Sequence, residues 1–203
     1  MKIALQSKSG RRDALEIVVD GEPCQIIHTA VFGKNPRLPD IQAGQGWSEV
    51  FEAWEYKRAK GYVIWRLSSQ SYHSQQLARL LRERYVSAET IERVLQECQE
   101  WGYLDDSAWL ASFVARHRQR LSGRALIAKL RSKGLDADAL QAVPELCGDA
   151  NDEIAAVQQL LETRYRSKSL TEPASKKKVI ASLLRRGYSY ELVREAIRQK
   201  TNP

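Results

Sequence analysis

Twelve basic residues hold the most legible chemistry in this 203-residue chain. Arg116, Arg118, Arg120, Arg124, Lys129, Arg131 and Lys133 form one band. Lys176, Lys177, Lys178, Arg185 and Arg186 form a second. Guanidinium and ammonium groups spaced along short helices suit phosphates, or an acidic protein groove, through many modest charge-assisted hydrogen bonds. The net charge of +7 says less than its distribution. Residues 61–104 hold five Arg and five Glu, whereas residues 105–134 hold seven bases against two acids. Residues 138–162 carry six acids and no base, and residues 163–200 carry eleven bases and three acids. Lys and Arg that merely solvate helix faces would be spread more evenly. Reading base edges needs Asn, Gln or Arg gathered at an exposed helix start, and no single helix gathers them.

Other reactive residue types assemble into nothing comparable. Cys24, Cys98 and Cys147 are odd in number, far apart and lack metal spacing, so reduced thiols are expected. His28, His73 and His117 fall in different segments without a second ligand at i+3 or i+4. Gly44-Gln45-Gly46 lacks the third glycine, lysine and preceding strand of a phosphate loop. No nucleophile stands beside a base, so no catalysis, metal or cofactor is expected. No apolar run approaches the roughly 20 residues of a membrane span, and the N-terminus has no signal-peptide core. A soluble, cytoplasmic monomer follows as the expectation.

The elements that position the bands are organised by Trp101-Gly102-Tyr103-Leu104-Asp105-Asp106. Ile91, Val94, Leu95 and Cys98 bring a helix to Trp101, and Gly102 falls where a helix end wants a left-handed residue. Asp105 is placed to cap the next helix, with Leu104 and Trp109 at the spacing of a hydrophobic staple. Capping accounts for the adjacent acids Asp105 and Asp106 without a catalytic role.

From residue 61 the pattern repeats. With Tyr85, Gly134 and Gly187 aligned, six offsets agree. Eight before stand Leu77, Leu126 and Val179; four before, Leu81, Leu130 and Leu183. One after come Val86, Leu135 and Tyr188; two after, the N-caps Ser87, Asp136 and Ser189. Six after stand Ile91, Leu140 and Val193, then Val94, Val143 and Ala196 three further on. Each pair of helices follows another, over roughly 61–69, 106–118 and 151–165. The spacing therefore predicts a mainly α chain of three tandem three-helix, helix-turn-helix-like repeats in an elongated curved array. Pro144 is expected to end or bend the helix begun at Ala137, and the acids from Asp149 to Glu153 to cap the one after.

Residues 1–60 differ. Ile3-Ala4-Leu5, Leu15–Val19 and Gln25-Ile26-Ile27 are β-prone, and Asp20-Gly21 predicts a hairpin turn, with Pro23 marking an edge strand. Arg11-Arg12 should lie in the loop before it. A linking helix is predicted over Trp47–Lys60 with Val50, Phe51 and Trp54 inward. The expected divisions are 1–46, a β-hairpin extension and loop; 47–104, linking helix and first repeat; 105–149, second repeat; and 150–203, third repeat.

The Trp101–Asp106 joint, the helix from Trp109 to Arg118 and Lys129-Leu130-Arg131-Ser132-Lys133-Gly134 resemble the RecX family of recombinase regulators. Lys177-Lys178, Leu183 and Arg186-Gly187-Tyr188 extend the likeness, and Val19-Asp20-Gly21-Glu22 resembles the hairpin of longer members. Departures are Tyr85 in place of glycine, His73-Ser74 in place of a simple serine cap, and Pro144. The resemblance implies a non-enzymatic modulator that binds the RecA filament on single-stranded DNA, within its helical groove, and limits its activity in recombination and repair. It also implies that the basic bands meet RecA or the DNA. A helix-turn-helix protein acting on duplex DNA without RecA is the alternative.

Overall fold

The computed structural model describes residues 1–8 and 10–201. It divides into two compact units, Met1–Asp106 and a second beginning at Ser107.

In the first unit the three β-prone runs form one antiparallel sheet in the order β1 (Ile3–Ser7), β2 (Ala14–Val19), β3 (Glu22–His28). The expected hairpin is β2–β3, and β1 adds a strand to it, pairing Ile3 with Val19 and Leu5 with Ile17. Asp20 (φ 50°) and Gly21 (φ 92°) both take positive φ, as a two-residue type I′ turn requires. Pro23 lies on edge strand β3, and the ladder slips between Ile17 and Val18, where Pro23 pairs. Arg11 and Arg12 lie in the β1–β2 loop. His28 ends β3, and its Nδ1 accepts the Ala30 amide at 3.0 Å to cap the short α1 (Thr29–Phe32).

The predicted break between a linking helix and the helix at 61–69 does not exist: α2 runs unbroken from Trp47 to Ser69. Gly61 lies at the expected division, but it is exposed and its φ is not positive, so it costs about 1 kcal/mol without ending the helix. The apolar stripe Val50, Phe51, Trp54, Ala59, Tyr62 and Val63 passes straight through. Phe32 and Trp54 pack at 4.7 Å between ring centres, and Ile17 and Ile27 of the sheet join the same core. Helices α3 (Ser74–Arg82) and α4 (Ala88–Glu100) complete the unit.

The second unit contains α5 (Asp106–His117), which starts on the last residue of the first unit, then α6 (Gly123–Ser132), α7 (Val143–Cys147), α8 (Ala150–Thr163), α9 (Pro173–Leu184) and α10 (Tyr190–Thr201). One core gathers Leu110, Val114, Leu126, Leu130 and Val143; another gathers Val157, Leu161, Val179, Leu183 and Val193.

The repeat is written in the burial and in the backbone. All fifteen apolar residues at the five apolar offsets are buried. Ser87, Asp136 and Ser189 each accept the amide three residues on, from Thr90, Ala139 and Leu192, at 3.0–3.3 Å. Tyr85, Gly134 and Gly187 share positive φ, at 62°, 95° and 90°. Tyr85 holds it against the Cβ penalty because a two-bond helix end is closed around it: Val86 donates to Leu81 and Tyr85 to Arg82. Gly102 (φ 72°) closes α4 by the same pattern, with the Tyr103 amide on the Cys98 carbonyl at 2.8 Å.

Pro144 opens a helix where it was expected to end one. Residues 137–142 form successive turns, and Pro144 sits at the start of α7, where a missing amide costs nothing. Asp149 then caps α8 by accepting the amides of Asn151 and Asp152 at 2.8 and 3.0 Å.

Candidate interaction surface

Arg124 and Arg131 stand seven residues apart on α6, two turns along one face, and both are exposed. Lys129 and Lys133 occupy another face, their ammonium groups 5.7 and 5.9 Å from the centre of the Phe113 ring. That ring is part of a half-buried stack on α5, where Trp109–Phe113 centres lie 5.3 Å apart and Phe113–His117 centres 4.3 Å. Residues four apart on a helix meet this way. Lys129 is half-buried by the contact. Arg116, Arg118 and Arg120 project from the end of α5 and the turn after it, all exposed.

Arg186 behaves differently from its band. Its guanidinium donates to the Arg120 carbonyl at 2.9 Å, and its own carbonyl accepts the Ser122 amide at 3.1 Å. It thus ties the α9–α10 corner to the start of α6. Arg185 beside it is exposed. Lys176, Lys177 and Lys178 are exposed in the first half of α9.

Among the described residues, no carboxylate within ion-pairing distance meets Arg116, Arg118, Arg120, Arg124, Arg131, Lys176, Lys177, Lys178 or Arg185. Some bases outside the bands are ion-paired, such as Lys60 with Glu97 at 2.8 Å, Arg198 with Glu195 at 2.7 Å and Lys200 with Glu162 at 3.9 Å. Others, such as Arg12, Lys57 and Arg164, have no ion pair among the described residues, so the bands stand out by their density and not by lacking pairs. The bands are therefore surplus positive charge.

Carboxylates instead hold helix starts, a device the sequence reading missed. Glu55, only 2% exposed, accepts the Ser87 amide at 3.2 Å and its hydroxyl at 2.5 Å, at the head of α4. Asp106 accepts the Ser74 amide at 2.6 Å and its hydroxyl at 2.5 Å, at the head of α3. Glu153 accepts the Gly123 amide at 2.8 Å, at the head of α6. Each donor–acceptor pair spans 30 or 32 residues. The only signal in the sequence is an acid on an apolar helix face, as Glu55 is among Phe51, Trp54 and Ala59.

Of the joint, Leu104 enters the first unit's core, while Trp101 and Tyr103 are more than half exposed. The Lys60 ammonium lies 4.0 Å from the Trp101 ring centre. Histidines serve as structure. Buried His73 accepts the Gln75 amide on its ring nitrogen and donates its own amide to the Gln76 side chain. Cys98 and Cys147 are buried on helix faces, and burial raises both thiol pKa values. No group of three or more His, Cys, Asp or Glu among the described residues is placed to hold a metal. No helix among them is long and apolar enough to cross a membrane.

Residues 151–197 match a family model described as RecX, third three-helix domain. A regulatory protein RecX of Thermobifida fusca is 32% identical over 148 residues, spanning 70% of this chain and 80% of that protein. The RecX of Mycobacterium ulcerans is also 32% identical, over 146 residues, covering 70% and 83%. The crystal structure of RecX from Lactobacillus salivarius shares the fold at a TM-score of 0.60 and 18% identity, over 72% of this chain and 97% of that one. A second crystal structure of regulatory protein RecX aligns at 0.57 and 19% identity, over 96% of this chain. With repeat, caps and relatives in agreement, this chain belongs to the RecX family of regulatory proteins.

Proposed function

We propose that this chain binds the RecA filament on single-stranded DNA and restrains RecA activity, as a cytoplasmic monomer without cofactor. The observation that carries the reading is the uncompensated charge. Arg116, Arg118, Arg120, Arg124 and Arg131, with Lys129 and Lys133 beside them, put seven cations into residues 105–134, and no carboxylate among the described residues lies within ion-pairing distance of them. Lys176, Lys177, Lys178 and Arg185 repeat this on α9 and its end. A filament of protein and DNA offers carboxylates and phosphates along its length, so many weak contacts made by one chain add into useful avidity. Occupying that surface excludes an incoming RecA subunit or loosens an existing interface.

Duplex reading by helix-turn-helix insertion is less well supported. In that motif a late helix enters the major groove. Here α4 exposes Glu89, Glu92 and Glu100, and α7 has only five residues. On α10, Arg198 pairs with Glu195 and Lys200 with Glu162, which leaves Arg194 as its one base with no ion pair among the described residues. α4 and α10 therefore lack a concentration of free positive charge, and α7 lacks the length.

The test is the quadruple replacement of Arg118, Arg124, Lys129 and Arg131 by Glu, with folding checked by circular dichroism. RecA ATPase on single-stranded DNA should then be insensitive to the variant at concentrations where the parent inhibits. Undiminished inhibition would remove the bands from the mechanism.

A further inference from the structure

We propose that the cleft between α6 and the α9–α10 corner is a docking site for an acidic protein segment bearing an apolar anchor residue, presented by the RecA filament; this rests on the function proposed above. The cleft has a volume of about 710 Å³ and lies wholly in the second unit. Arg124 lines it from α6 and Arg185 from the end of α9, so the two basic bands converge here. Between them stand Leu184, 40% exposed, and Tyr190, 56% exposed, among the most exposed large apolar side chains of the chain. Ala125 and Ala128 line the α6 side and leave room for a side chain to enter.

Tyr188 forms the inner wall. The residue is 2% exposed, yet its hydroxyl has no hydrogen-bond partner among the described residues. Buried hydroxyls are usually satisfied, and leaving one unmade costs about 1–3 kcal/mol. Burial, and then the nearby Glu153 carboxylate, push its pKa up to about 12, so it remains an O–H donor. The hydroxyl is closed off from the cleft, so Tyr188 shapes its wall and is not itself a contact for an occupant.

The chemistry favours protein over nucleic acid. Single-stranded nucleic acid is held by successive aromatic platforms, and only one exposed ring, Tyr190, stands at this cleft. Leu184 offers no stacking face. The Glu153 carboxylate, engaged at the base by the Gly123 amide, opposes a run of phosphates but tolerates a mixed segment. Two guanidiniums flanking an apolar floor match carboxylates on either side of a Leu- or Phe-like anchor.

The test is photo-crosslinking with benzoylphenylalanine in place of Tyr190 in the full chain, on RecA filaments assembled on single-stranded DNA. The expected product is one crosslink to an acidic RecA peptide, lost in the Arg124→Glu/Arg185→Glu background. In co-sedimentation, that double variant and Ala128→Arg should each need about tenfold more protein to saturate the filament, the scale of two modest charged contacts. Crosslinks to DNA, or none while the unlabelled parent still sediments and the variants sediment equally, would overturn the docking site alone. A parent that fails to sediment with the filament would instead overturn the function on which it rests.

Discussion

Replacing Gly187 with alanine tests how tightly the third repeat is fastened to the second. Gly187 has φ +90°, a conformation that costs an L residue about 1–2 kcal/mol. A Cβ there would also lie 2.5 Å from the Ser122 hydroxyl, 2.7 Å from the Ala125 Cβ and 3.2 Å from the Ala125 amide nitrogen. The hydroxyl cannot simply turn away, because it caps α6 by accepting the Ala125 amide at 3.3 Å. The corner must move, which breaks the Ser122 amide bond to the Arg186 carbonyl and the Arg186 bond to the Arg120 carbonyl. At about 1 kcal/mol each, these bring the total to about 3–4 kcal/mol. Gly102→Ala is the control: φ is +72° but no atom lies within 4 Å of its Cβ, so strain alone predicts about 1–2 kcal/mol. Urea unfolding gives both values, each for its own unit. Hydrogen exchange at the Ser122 amide should accelerate only in Gly187→Ala. Equal costs for the two variants, with Ser122 still protected, would refute the steric argument.

Two further outcomes follow from the caps. Asp106→Ala leaves the Ser74 amide and hydroxyl without their carboxylate and should cost the first unit about 2 kcal/mol in urea unfolding; a neutral result would mean that Asp106 is not a cap for α3. The His28 pKa is lowered by burial and then by Arg84, while its Nδ1 must stay unprotonated to hold Ala30. The folded pKa lies below the unfolded value of about 6.5, so the contribution is complete above about pH 6.5 and declines as pH falls toward the folded value. His28→Asn, which keeps an acceptor, should flatten the urea midpoint between about pH 7 and pH 5 relative to the parent; an unchanged slope would count against it.

What could be read from the sequence follows a physical line. Local periodicity and backbone demands were legible, because each repeat writes the same buried residues and the same positive-φ position at constant offset. Even Tyr85, which breaks the glycine pattern, obeys the register. Interactions between residues far apart in sequence were not legible. Nothing near Glu55 in the chain announces Ser87, and nothing near Asp106 announces Ser74. The expected division at residue 61, where Gly61 stands, and the expected helix end at Pro144 fail for the same reason. The intrinsic preferences of both residues are real, but packing through α2 outweighs the first, and a helix start makes use of the second. Arg186 reads in the sequence as one more base of its band, whereas its guanidinium is tied to the Arg120 carbonyl, 66 residues away. The third strand shows the limit from the other side: Ile3-Ala4-Leu5 was visible as β-prone, but its pairing with β2 was set by distant partners.

The central claim is that these cations serve a protein–DNA filament and not bare nucleic acid. Sedimentation on RecA-coated single-stranded DNA, with uncoated DNA beside it and salt as the variable, tests it most directly. The account predicts retention on the coated strand at salt where the bare strand has released the chain, with bare-strand affinity falling by about 0.7 log units per log unit of salt for each phosphate contact. Equal retention on both, lost along the same salt curve, would contradict it.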